Sequence, residues 1–74
     1  MECLNEIIAN EIKKRRFSRR WTKRELAERL GSPTPGCVWS WESGRNAPTA
    51  YYLCQLADVF ECSVDDLLGR NADA

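Results

Sequence analysis

Between Trp21 and Gly31 the chain reads W-T-K-R-E-L-A-E-R-L-G, and this run leaves little choice of local structure. Thr22 and Glu25 stand as T-x-x-E, the spacing of a capping box. The threonine hydroxyl accepts from a backbone N–H inside the helix, and the carboxylate reaches back to the N–H of the cap. Trp21 before the cap and Leu26 after it have the spacing of a hydrophobic staple. Leu26, Ala27 and Leu30 share one side, and Gly31 supplies the C-terminal stop.

The rest of the chain repeats the pattern. Leu4, Ile8 and Ile12 recur every four residues and mark a helix from about Glu2 to Ser18, with Ile7 and Phe17 added to its buried stripe. Arg19-Arg20 follows it without a glycine. Farther on, Thr34-Pro35 opens a third helix, from Pro35 to Ser43. Proline suits the first helical position, whose N–H would be unpaired anyway. A start at Pro33 is disfavoured, because Pro35 keeps Thr34 out of the helical region. Val38, Trp41 and Glu42 turn inward. Thr49 caps a fourth helix to about Phe60, with Leu53, Leu56, Ala57 and Phe60 on one side and Cys54 beside them. Ser63-Val64-Asp65-Asp66 opens a short fifth helix holding Leu67 and Leu68, closed by Gly69, with Cys62 and Val64 at its corner. No segment alternates with period two, so the chain is expected to be all-α, a compact five-helix domain. Residues 1–7 extend the first helix, 8–69 form the domain and 70–74 are a frayed tail.

Seventy-four residues, 43% of them hydrophobic, suit one small core and no second one. There is no apolar run of membrane length and no signal-peptide pattern, which implies a soluble cytoplasmic chain. The four cysteines form no C-x-x-C pair and histidine is absent. They read as reduced structural thiols before a disulfide set or a metal site, and no cofactor is expected. Net charge is zero, yet Lys13, Lys14, Arg15, Arg16, Arg19, Arg20, Lys23 and Arg24 follow one another without an acid between them. Such a run is a solvated helix face or a field for a polyanion.

Four segments in order, I-x-x-x-I-K-x-R-R, W-T-K-x-E-L-A-E-x-L-G, V-W-S-W-E-S-G-R-x-x-P-T and L-x-Q-L-A-D-x-F-x-x-S-x-D-D-L-L-G, resemble the lambda- and Cro-type phage repressor helix-turn-helix domain. This is the xenobiotic-response-element class of bacterial regulators. The resemblance runs from Ile8 to Gly69. It implies that the helices from Thr22 and Thr34 are the helix-turn-helix pair, the second lying in the major groove of double-stranded DNA. It further implies a buried ion pair between Arg16 and Glu42, and a phosphate contact from Lys23 at the start of the first motif helix.

The chain also departs from that pattern. Members of the family read bases with long polar side chains where this one has Pro35, Gly36 and Ser40. An additional residue falls around Ser32-Pro33. Stepping about 100° per residue places Gly36, Ser40 and Ser43 outward and Trp39 at the shoulder. Two readings follow. In one, the helix backbone sits deep in the groove, with Pro35, Gly36, Trp39 and Ser40 against bases, sugars or thymine methyls. Thr22, Lys23, Arg24, Arg19, Arg20, Ser43 and Arg45 then face phosphates. This chain would be a sequence-specific transcriptional regulator, a repressor on a palindromic operator, weakly dimeric and tighter on DNA, and associated with the nucleoid when bound. In the other, Trp39 anchors a protein partner on the same fold, as in an antitoxin-like or anti-repressor complex. An enzyme is the weakest alternative, because no nucleophile stands beside a base.

Overall fold

A computed structural model describes residues 3–31 and 34–70. Among them are five helices: α1 (Leu4–Ser18), α2 (Lys23–Leu30), α3 (Pro35–Glu42), α4 (Ala50–Phe60) and α5 (Val64–Leu67). The second, third, fourth and fifth each begin at a hydroxyl cap: Thr22 accepts from the N–H of Glu25, Thr34 from Cys37, Thr49 from Tyr52 and Ser63 from Asp66. Two are full capping boxes, with Glu25 returning to the N–H of Thr22 at 2.7 Å and Asp66 to that of Ser63 at 3.1 Å. Local chemistry thus sets most of the helix starts.

Tertiary structure follows from short apolar stripes turned toward one centre. Ile8 and Ile12 of α1, Leu26, Ala27 and Leu30 of α2, Val38 and Trp41 of α3, Leu56, Ala57 and Phe60 of α4 and Leu67 of α5 form one buried cluster. α1 packs on α3 and α5, α2 on α3 and α4, and α4 on α5. A fully buried leucine or isoleucine contributes about 1.5–3 kcal/mol. Trp21 lies at the edge of this core, its ring stacked on Phe60 at 5.9 Å between centroids.

Three residues expected inside are outside. Leu4 lies on the stripe but one turn beyond the end of the core, and is 53% exposed. Phe17 stands about 140° round from Ile12, and its ring instead lies under the guanidinium of Arg16 at 4.6 Å. Cys54 stands about 160° round from Leu56 and is also exposed. All four cysteines are free thiols. Cys62 alone among them is partly covered, and burial, the largest cause, pushes its thiol pKa up. Helix bounds shift slightly: α1 starts at Leu4 and α3 ends at Glu42, with Ser43 as its cap. The additional residue expected around Ser32-Pro33 and most of the tail expected to fray lie outside the described residues.

Two turns go against side-chain sterics. Arg20 after α1 has φ 60° and Glu61 after α4 has φ 57°, the left-handed region that costs a non-glycine residue about 1–2 kcal/mol. The first of these reverses the chain into the Thr22 cap. Gly69 closes α5 at φ 71°, and a Cβ there would stand 2.7 Å from Ile7 Cγ2. Glycine at this position therefore lets the end of α5 approach α1.

Candidate nucleic-acid interface

Pro35 and Thr34 start α3 as the sequence requires, and the wheel then sorts its eight residues. Val38, Trp41 and Glu42 are buried, whereas Pro35, Gly36, Cys37 and Trp39 are exposed. Trp39 keeps 50% of its surface free. Ser40 is half-buried. Its carbonyl gathers the far end of the helix, accepting from Ser43 Oγ at 3.0 Å, from the N–H of Arg45 at 3.2 Å and from that of Asn46 at 3.4 Å. These bonds bring Arg45 back alongside Trp39, with its guanidinium 5.6 Å from the indole centroid.

The inward side of α3 is held by one arginine. Arg16 and Glu42, each 5% exposed, pair through two bonds, Nε to Oε2 at 2.5 Å and Nη2 to Oε1 at 2.9 Å. Nη1 donates to the carbonyl of Trp21 at 2.6 Å. One side chain thereby ties α1, the residue before the α2 cap and α3 together. The hydrogen bond to Glu42 raises the pKa of Arg16, outweighing burial, which lowers it. A guanidinium so placed stays charged.

A cleft of about 170 Å³ opens beside Glu42, lined also by Lys13, Lys23, Trp39 and Ser43. Lys23 is the first residue of α2, and Arg24 the second. Both stand at a helix end whose N–H groups lack intrahelical partners and favour an anion. The face therefore joins an aromatic side chain, a serine hydroxyl and two lysines across a short gap. Lys13 was named in the basic run but not singled out as a contact. Its position three residues before Arg16, on the same side of α1, is the signal that marks it.

The remaining cations of the run are divided among other tasks. Lys14 and Arg15 pair with Glu11 at 3.2 and 3.3 Å. Arg19, expected at a phosphate, is exposed; its Nη2 donates to the carbonyl of Phe60 at 2.8 Å and its guanidinium lies near the ring of Trp21. Arg29 covers that ring at 4.2 Å. Arg20 and Arg45 are exposed, as is Thr22, whose hydroxyl is held by the capping box.

A helix-turn-helix family model, of the lambda Cro type, matches residues 12–67. The chain belongs to this helix-turn-helix family. Its α2 and α3 are the motif pair, and the family is one of DNA-binding regulators. No curated protein and no solved structure gives a match. Among the described residues no helix is long and apolar enough to cross a membrane, and no group of three or more Cys, Asp or Glu side chains comes together to hold a metal ion.

Proposed function

We propose that this helix-turn-helix chain is a sequence-specific transcriptional repressor that lays α3 in the major groove of double-stranded DNA. The observation that carries the reading is the face on which Trp39 meets Ser43, Lys13 and Lys23 across one cleft. Groups suited to base edges thus stand beside groups suited to phosphates. Pro35 and Gly36 keep the first turn small, so the helix backbone approaches the base edges closely. Thr22, Lys23 and Arg24 at the start of α2, with Ser43, Arg45 and Arg20, face the sugar-phosphate strand. Arg16 and Glu42 hold the angle between α1 and α3 without touching DNA. Two copies bind a palindrome with half-sites about one helical turn apart, associating weakly in solution and more tightly on nucleoid DNA.

Selection from a randomised duplex library with the purified protein tests this. A palindromic enriched motif, recovered at both low and moderate salt, is the expected result. Retention of every duplex at low salt with no motif would reduce the basic groups to general phosphate attraction. The half-exposed indole favours a second reading in that event, a protein partner seated at Trp39, whose complex would show little dependence on salt.

A further inference from the structure

The α3 face has few ways to choose one sequence over another. Pro35 and Gly36 offer no polar side-chain atom. The hydroxyl of Thr34 is directed to the sulfur of Cys37 at 3.7 Å, and that of Ser43 to the carbonyl of Ser40. The Ser40 hydroxyl is both donor and acceptor, and so accommodates any base edge. No amide or guanidinium of α3 is present to make a two-pronged contact with a purine. The one large group on this face is the indole of Trp39, half exposed and backed by Arg45.

An apolar ring distinguishes bases in the major groove chiefly by the C5-methyl group, which thymine carries and cytosine lacks. We infer that Trp39 is the specificity-determining residue of this face and that the group it reads is the 5-methyl of a pyrimidine, thymine or 5-methylcytosine. The inference rests on the DNA-binding reading above and names what that site selects. Arg45 lies over the indole ring and limits the ring's freedom to turn, so the remaining surface meets the groove in one orientation. Lys13 and Lys23 across the cleft supply attraction to phosphate that is indifferent to sequence. Affinity and choice are thereby divided between different residues. A direct consequence is that methylation of cytosine at carbon 5 strengthens binding wherever that base takes the place of the contacted thymine.

The test uses the duplex enriched by selection and replaces each thymine in turn by uracil, which removes one methyl group and leaves every hydrogen-bonding edge intact. Loss of one buried methyl corresponds to about a four-fold weakening. That loss is expected at one position per half-site and at none of the others. At the same position, 5-methylcytosine paired with guanine binds about four-fold more tightly than cytosine paired with guanine. Trp39→Ala binds thymine and uracil duplexes equally, and Trp39→Phe retains part of the difference. The exposure of Trp39 makes both variants compatible with folding, and a thermal melt checks this. Equal binding of uracil and thymine duplexes by the wild-type protein would overturn the inference, as would a methyl preference that survives in Trp39→Ala. An enriched motif without thymine would do the same. Sensitivity to 7-deazaguanine in place of uracil would transfer the reading to the indole N–H. Failure to bind any duplex is a different outcome and removes the DNA-binding reading itself.

Discussion

Glu42→Gln lowers the stability of the folded chain by about 3–5 kcal/mol, the usual consequence of stranding one member of a buried ion pair. The glutamine keeps the shape of the side chain and one acceptor, but turns an NH2 group toward a guanidinium that has only donors. Arg16 cannot escape by losing its proton. Its folded-state pKa is raised by the bond to ionised Glu42, so from neutral pH upward its contribution to stability is present below the ordinary arginine range and is lost only in strong alkali. The replaced charge is therefore missed throughout neutral conditions. A domain of this size has about 4–11 kcal/mol of total stability, so the variant lies near the edge of folding. Urea titration followed by helical circular dichroism measures the change, and an unchanged midpoint would show that the pair is dispensable. The double replacement Arg16→Met with Glu42→Leu separates stranded charge from lost packing. A buried pair contributes little net stability against apolar groups of similar volume, so the double variant is expected to recover most of what Glu42→Gln loses.

Raising salt from about 50 to 200 mM weakens duplex binding about 250-fold, with a log–log slope near −4. The value rests on about four phosphate contacts, drawn from Lys13, Arg20, Lys23, Arg24 and Arg45. The length of the basic run alone suggests more. Arg16 is consumed by Glu42, Arg19 donates to Phe60, and Lys14 and Arg15 pair with Glu11. Lys23→Ala reduces the slope by about one while leaving the fold intact, since its backbone and not its side chain belongs to α2. Binding measured by fluorescence anisotropy across a salt series decides the matter. A slope near zero would exclude phosphate neutralisation as the source of affinity.

The helices were legible because their starts are written in single residues and short spacings. Thr22 with Glu25, Thr34 with Pro35, Thr49, and Ser63 with Asp66 act within one turn, and distant contacts have little power to overrule them. The limits of the core were less legible. A stripe shows which side of a helix turns inward and does not show where the neighbouring helix stops, so Leu4 continues a correct pattern into solvent. Phe17 and Cys54 show the opposite limit, since hydrophobic character drew them into a stripe that their angular positions do not join.

The site divides in the same way. Arg16 and Glu42 stand 26 residues apart, and no local spacing links them; only the resemblance to a known family joined the two. The same resemblance gave Lys23 its place. Arg19 reaches the carbonyl of Phe60, 41 residues on, a contact that no local spacing marks. Helical periodicity with Val38 and Glu42 inward puts Ser40 outward and Trp39 only at the shoulder, whereas Trp39 is the more exposed of the two and Ser40 is half-buried.

Tryptophan fluorescence tests most directly whether the outward face of α3 is the surface that meets DNA. Trp41 is buried and Trp21 is partly covered by Phe60 and two arginines, whereas Trp39 is half exposed. Titration with the selected duplex is expected to change the emission of the wild-type protein, and Trp39→Phe is expected to lose most of that change while still binding by anisotropy. An equally large change in Trp39→Phe, or tight binding with no change in the wild type, would place the DNA on another surface and contradict the account.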